Sequence, residues 1–145
     1  MRLSVSEILK LANSKSKVDE RIAILHHHNC FALRHLLRFC FDPNIEWLVQ
    51  GDYSYSSGSI IDQEGNLYSK ARLFYLFVKA VNADGEWVIG NPALTDERRS
   101  MLFIQLLESI DKKDAELLLQ VRKKNMPYKN VTEKVVLEAF PGLWS

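Results

Sequence analysis

The stretch 95–125 constrains the fold most, because it predicts two consecutive amphipathic helices. Thr95 can cap the first helix, since a threonine hydroxyl accepts a hydrogen bond from a free amide of the first turn. The buried stripe then recurs at helical spacing and consists of Leu102, Phe103, Leu106, Leu107 and Ile110. Asp111 or Asp114 begins the second helix, which ends near Asn125. The rest of the chain is expected to pack around this helix pair.

Capping residues and apolar periodicity predict further short helices on both sides of the pair. They cover about residues 4–13, 18–28, 30–41, 43–50, 68–81 and 132–140. Pro43 separates the third helix from the short helix PNIEWLVQ, because proline disfavours a helical conformation at the preceding residue and suits a first turn. We therefore predict an all-α fold of six or seven short helices around the 95–125 pair, in a single domain spanning residues 1–145.

Two stretches are predicted to be non-helical. Residues 51–66 are dominated by Ser, Gly, Asp and Asn and contain Tyr53 and Tyr55, which is typical of a surface loop. A short extended piece at Ser59–Ile61 and a turn at Glu64–Asn66 are expected inside it. Asp84-Gly85 predicts at most a small hairpin between residues 80 and 90. Because long loops are more often functional or disordered than accidental, the 51–66 loop is either a candidate binding segment or a disordered connector.

Composition excludes several classes of protein. The formal net charge is +1, so no global field attracts nucleic acid or an acidic partner. The two cysteines are too few for a disulfide scaffold and are expected to be free thiols. No stretch approaches the roughly 20 apolar residues of a membrane span, so we expect no membrane association.

Catalytic and metal-binding motifs were also sought in the sequence. The run His26-His27-His28 cannot face one metal ion, because consecutive helical residues point about 100° apart. Solvated histidines at a helix end explain the run without a metal. No nucleophile elbow, phosphate-binding loop or HExxH is present. We therefore expect no metal, no cofactor and no enzymatic activity.

The candidate binding residues are basic and aromatic. They are Tyr53, Tyr55, Arg34, Arg38, Arg122, Lys123 and Lys124. Clustered basic side chains on one face would contact phosphates. The three at 122–124 are also explained by the negative end of a helix, which cations stabilise. Tyrosine among serine and glycine is the composition of adaptable recognition loops.

The segment RRSMLFIQLLESIDKKDAELLLQVRKK and the closing VTEKVVLEAFPGLW carry a resemblance. Together with the N-terminal amphipathic pair and FDPNIEWLV, they resemble a family of small uncharacterised proteins of T4-like tailed bacteriophages, especially phages of marine cyanobacteria. In the closing motif stand Leu137, Ala139, Phe140, Pro141, Gly142 and Leu143. The resemblance implies a viral product made in the host cytoplasm, and it implies no catalytic residue.

The expected function is therefore that of a non-enzymatic, phage-encoded binding protein that engages a host or phage protein. One alternative is an accessory nucleic-acid-binding protein in phage replication or transcription. A second alternative is a minor component of the virion. The sequence leaves homo-oligomerisation open.

Overall fold

The computed structural model describes residues 2–56 and 67–144, and these ranges are mostly helical. The helices are α1 (Val5–Asn13), α2 (Val18–His27), α3 (Phe31–Phe41), α4 (Leu67–Lys70), a 3₁₀ helix (Ala71–Phe77), α5 (Asp96–Ser109), α6 (Lys112–Val121) and α7 (Glu133–Ala139). The strands are β1 (Ile45–Trp47), β2 (Val78–Val81) and β3 (Trp87–Ile89).

The predicted helix pair is confirmed as α5 and α6. The Thr95 hydroxyl accepts a hydrogen bond from the Arg98 amide at 3.1 Å, and the Asp111 carboxylate accepts one from the Lys113 amide at 3.0 Å. Both caps satisfy amides that have no partner inside their own helix. The apolar stripe of α5 is buried except at Leu102, which is half-buried.

The N-terminal helices pack beside this pair. Ser4 and Glu7 form the predicted capping box at the start of α1, and the apolar stripe of α1 is fully buried. Helix α1 contacts α2 and α6, and α7 closes over α2. Helix α3 is central, because Leu33, Leu36 and Leu37 have no exposed surface.

The predicted helix at 43–50 is wrong, because Ile45–Trp47 forms strand β1. Ile45 and Trp47 are buried and Glu46 between them is exposed, which is the two-residue period of a half-buried strand. The Asp42 side chain accepts a hydrogen bond from the Asn44 amide at 2.9 Å and turns the chain after α3. The Trp47 indole donates to the Phe39 carbonyl at 2.9 Å and fixes the strand against α3.

The helix predicted over 68–81 is correct only at its start. Helix α4 is a single turn, the 3₁₀ helix follows, and the last four residues form β2. Val78 and Val81 are β-branched and pair with residues of β1 and β3. Sheet pairing therefore overrides the helical periodicity of the preceding residues.

The predicted hairpin is confirmed and belongs to a larger sheet. Strands β2 and β3 pair antiparallel, and β1 adds to the other side of β2 in the order β1-β2-β3. The Asn82 side chain accepts hydrogen bonds from the amides of Asp84 and Glu86, while Gly85 adopts a φ of +78° that suits glycine. The all-α prediction is thus corrected to a mostly helical fold with a small three-stranded sheet.

Part of the 51–66 loop is described. Residues 51–56 have no regular secondary structure. The predicted extended piece at Ser59–Ile61 and the turn at Glu64–Asn66 lie outside the described residues. Among the helices of ranges 2–56 and 67–144, none combines the length and the apolar character needed to cross a membrane.

Candidate protein-binding surface

The arginine after α6 points into the protein. Arg122 is 6% exposed, and its guanidinium donates hydrogen bonds to the carbonyls of Val49 at 3.0 Å, Leu119 at 3.3 Å and Gly51. The side-chain amide of Gln50 donates a hydrogen bond to the Arg122 carbonyl at 2.6 Å. Arg122 therefore fastens the chain that follows β1 to the end of α6.

Lys124 has a similar role two residues later. Its ammonium group donates to the carbonyls of Phe39 at 3.2 Å, Asp42 at 2.6 Å and Ile45 at 2.9 Å. Its backbone has a φ of +59°, in the left-handed region, which turns the side chain back under the helix end. Burial lowers the pKa of the Lys124 ammonium, although the charges of Cys40 and Asp42 oppose that shift. Of the three basic residues at 122–124, only Lys123 is exposed.

Arg34 and Arg38 lie on α3 and are engaged locally. Arg34 donates to the Asn29 side chain, and Arg38 pairs with Asp42 at 3.2 Å. Because Lys124 binds the carbonyl of the same Asp42, the structure brings Arg38 and Lys124 to one residue. The predicted basic residues do not form one open basic face, since two of them are turned toward backbone carbonyls.

The two predicted tyrosines are half-buried and pack against the core, and Tyr53 contacts α5. The Tyr53 hydroxyl shares a hydrogen bond with the Ser100 hydroxyl at 3.0 Å, and its ring meets Phe103 edge-on at 5.9 Å. The Arg122 guanidinium lies 5.6 Å from the centre of the Tyr53 ring, so these two predicted site residues are neighbours. Burial, together with the charge of Glu116, raises the pKa of the Tyr55 hydroxyl. Both tyrosines thus have structural contacts.

The histidine and cysteine side chains are spread through the fold. His35 stacks between Phe31 and Phe39, and burial, aided by Arg38, lowers its pKa to about 4. The His26 ring forms a hydrogen bond with the Ala139 carbonyl. Burial raises the pKa of the Cys40 thiol to about 11, which keeps it protonated near neutral pH. Within residues 2–56 and 67–144, no three His, Cys, Asp or Glu side chains converge as metal ligands would.

Asp114 is a buried acid, and the sequence predicts it only as a residue at the start of a helix. It has no exposed surface, and one carboxylate oxygen accepts a hydrogen bond from the Ser6 amide at 2.9 Å. The other oxygen has no hydrogen-bond partner. Burial raises the pKa of the carboxyl to about 6, against the opposing hydrogen bonds from Ser6. Asp114 joins the start of α1 to the first turn of α6.

Strand β3 departs from ordinary burial, because its three apolar residues are all exposed. Trp87, Val88 and Ile89 are consecutive apolar residues and are 47%, 48% and 39% exposed. Tyr75, whose carbonyl lies next to Gly90 at the end of the strand, is also exposed. We call these four residues the β3 surface. Exposed apolar residues that cluster, rather than lie singly, are typical of interaction sites.

The sheet register assigns the β3 side chains to two faces. Trp87 lies opposite Val81 and Ile89 opposite Lys79, on the outer face of the sheet. Val88 lies opposite Ala80, on the inner face that carries buried Ile45 and Trp47. The Lys79 ammonium lies 5.4 Å from the centre of the Trp87 ring. The outer face therefore presents an aromatic and a β-branched side chain next to a cation.

The backbone of β3 has an open edge. The Gly90 amide donates a hydrogen bond to the Val78 carbonyl at 3.0 Å, and the Asn82 amide donates one to the Glu86 carbonyl at 2.8 Å. Because hydrogen-bonded pairs alternate along an antiparallel ladder, the amide and carbonyl of Val88 also face β2. The amides and carbonyls of Trp87 and Ile89 then point away from β2. In the part of the chain that the structure describes, no residue bonds to them on that side.

Sequence reasoning predicted a hairpin at these residues but missed the surface. The available signal was the run EWVI, which lacks the alternation of apolar and polar residues expected of a strand with one solvated face. An apolar run of this kind predicts a strand covered on both sides, and the fold leaves it uncovered.

The chain matches a known protein family over most of its length. Residues 8–128 match the sequence model of a family of unknown function, DUF6433. The matched range contains α2 to α6 and the whole β3 surface. No curated protein and no solved structure matches the chain. The match agrees with the resemblance to an uncharacterised family.

Proposed function

The chain belongs to the DUF6433 family of unknown function, and we propose that it is a non-enzymatic binding protein that engages another protein through the β3 surface. The observation that carries this proposal is the exposure of Trp87, Val88 and Ile89 on one short strand. Aromatic side chains are enriched in the cores of protein interfaces, where they bury large areas with little loss of conformational freedom.

The surroundings of the β3 surface support a protein partner over a small ligand. The surface is exposed, because the strand lies at the edge of its sheet and all three of its residues reach solvent. Small-molecule sites are usually concave and bury most of the ligand. A partner protein can instead cover the exposed outer-face side chains of such a strand.

The contacts of the titratable residues support a non-enzymatic role. His35 lies among aromatic rings, the Cys40 thiol is buried, and Arg122 and Lys124 bind backbone carbonyls. These groups are held by the fold and do not converge on a common cleft. Arg34, Arg38 and Lys123 give nucleic-acid binding no comparable support, and it stays a prediction from the sequence.

The context of the partner comes from the resemblance in the sequence. The FIQLLES and AELLL helices and the closing AFPGL are similar to proteins of T4-like phages, so the proposed setting is the host cytoplasm. The partner is then a host or phage protein. The alternative is that the chain is a minor component of the virion, in which case its partner is a protein of the assembled particle.

Quantitative affinity capture from infected host lysate tests the proposal. The lysate is first treated with nuclease. The tagged wild-type chain is then compared with the double variant Trp87→Ser/Ile89→Ser, which removes the outer-face apolar side chains. The matched control is Val18→Ser, since Val18 is 42% exposed on α2, and α2 packs against α1 and α7. We expect a partner whose enrichment falls at least about tenfold with the double variant, equivalent to about 1.4 kcal/mol, and is unchanged with the control.

An identical set of captured proteins with wild type and double variant would reject the β3 surface as the binding site. Circular dichroism of each variant establishes that loss of capture is not loss of folding. Abundance of the chain itself in purified particles would assign it to the virion.

A further inference from the structure

We propose that the open edge of β3 pairs with β3 of a second copy of this chain. The pairing is antiparallel about a two-fold axis at Val88, and it joins two three-stranded sheets into one of six strands. This inference rests on the proposed function only in taking β3 as a binding surface.

The backbone supplies the first argument. Trp87 and Ile89 each present an amide and a carbonyl to the open edge, and one residue separates them. In an antiparallel pair centred on Val88, Trp87 lies opposite Ile89 of the second copy, and the reverse pair is equivalent by symmetry. Each pair exchanges two hydrogen bonds, so the edge is satisfied by four bonds with Val88 as the intervening non-hydrogen-bonded position.

The side chains supply the second argument, because the strand is complementary to itself in this register. Trp87 faces Ile89 of the second copy on the outer face, and aromatic–β-branched pairs are among the favourable cross-strand pairs. Val88 faces Val88 of the second copy on the inner face. One step outward, Glu86 lies opposite Gly90, which has no side chain. No like charges are therefore opposed along the shared edge.

The absence of charge and proline from β3 supplies the third argument. Soluble proteins usually protect an edge strand by keeping it short, or with a lysine, a proline or an inward-pointing charge. Strand β3 is short, but its three residues are Trp, Val and Ile, so none of them carries a charge or lacks an amide. The sequence thus leaves this edge open to pairing with another strand.

The pairing has a consequence for the proposed partner site. Both outer faces lie on the same side of the joined sheet, so Trp87, Ile89 and Val81 of the two copies form one continuous apolar surface. The interface itself is small, because three residues from each copy provide most of it. An interface of this size lies at the low end of specific contacts, so we expect a dissociation constant on the order of 10 μM.

Sedimentation velocity over a concentration series tests the pairing on the purified full chain. Wild type should pass from the mass of one chain to that of two across the micromolar range. Val88→Lys places two ammonium groups opposite each other, and Val88→Glu places two carboxylates there, so each variant should remain a monomer. Val18→Lys is the matched control, because it adds the same charge at a similarly exposed valine away from the sheet, and it should dimerise as wild type does.

Mixing the two charged variants tests the register. Val88→Lys and Val88→Glu should form a dimer with each other, because opposite charges then meet on the two-fold axis. A monomeric wild type at all concentrations, dimers of either charged variant alone at wild-type affinity, or a mixture that stays monomeric would each overturn the proposal.

The two proposals fail separately. Dimerisation is measured without any partner, so capture that is unchanged by Trp87→Ser/Ile89→Ser would reject the partner site and leave the pairing standing. Conversely, a monomeric wild type that still captures a partner through Trp87 would overturn the pairing and leave the proposed function standing.

Discussion

The end of α6 and strand β3 invert the usual distribution of polar and apolar residues. At the end of α6, Arg122 and Lys124 turn inward and donate to backbone carbonyls. On β3, Trp87 and Val88 face solvent. Cations usually lie at the surface and large apolar side chains in the core.

The two regions differ in whether their side chains supply hydrogen bonds that the backbone of the same chain needs. The carbonyls of the segments around β1 have no strand partner at several positions, and Arg122 and Lys124 supply the missing donors. Removing these side chains harms the folded chain itself. The apolar side chains of β3 are exposed, so their removal should harm mainly association.

The largest expected effect tests the inward role of Arg122. Arg122→Met keeps much of the aliphatic volume and leaves the carbonyls of Val49, Leu119 and Gly51 without their donor. We expect a loss of about 3 kcal/mol in the free energy of unfolding, measured by urea denaturation. Lys123→Met is the control, because Lys123 is exposed, and it should change stability by less than about 0.5 kcal/mol. Equal effects of the two variants would contradict the structural role.

Lys124 should have a smaller effect, because its surroundings are half-exposed and water can replace part of its hydrogen bonding. Lys124→Ala removes three hydrogen bonds and should cost about 2 kcal/mol. Lys124→Gly removes the same bonds and also relieves the positive φ, so it should be more stable than Lys124→Ala by about 1 kcal/mol. Thermal denaturation of both variants separates the side-chain and backbone contributions. A glycine variant less stable than the alanine variant would contradict a left-handed backbone at residue 124.

The same regions show how far the sequence predicts the fold. Helices α5 and α6 were predictable because their signals are local: Thr95 and Asp111 cap them, and their apolar residues recur at helical spacing. Strands β1 and β2 were not, because Trp47 and Val78 become strand residues only by pairing with each other across the fold. The local apolar pattern alone does not distinguish a short buried strand from a helical segment.

The candidate site was predictable to a smaller degree. The basic residues were identified by type, but the inward turn of Lys124 depends on one left-handed residue that no local pattern indicates. The exposure of Trp87 depends on β3 being an edge strand, which is a property of sheet order. Residue type therefore identified candidate residues, but not which of their side chains turn inward.

Asp114 sharpens the comparison, because it is buried like Arg122 but one of its oxygens has no partner. Its pKa in the folded chain, about 6, lies above the ordinary value of 3.8. The folded state therefore binds the proton more tightly, and stability falls as pH rises from about 4 to about 6. Asp114→Asn keeps an acceptor for the Ser6 amide and removes the buried charge.

We expect Asp114→Asn to be more stable than wild type by about 1 to 2 kcal/mol at pH 7, with the difference vanishing near pH 4. Urea denaturation of both proteins at several pH values measures that difference, and the shifted pKa of Glu7 acts on both proteins alike. A difference that grows as pH falls would mean that the carboxylate form of Asp114 is the stabilising one.

The smallest expected effect on stability is that of a substitution on β3. Two valines on neighbouring strands allow a direct comparison. Val78 on β2 is buried and Val88 on β3 is half-exposed, so the same change to alanine removes different packing. Val78→Ala should lower the free energy of unfolding by about 2 kcal/mol. Val88→Ala should lower it by less than about 0.5 kcal/mol when measured in dilute monomer, because a half-exposed methyl pair contributes little to a core. If Val88→Ala costs as much as Val78→Ala, strand β3 is part of the core and its apolar residues need no partner to account for them.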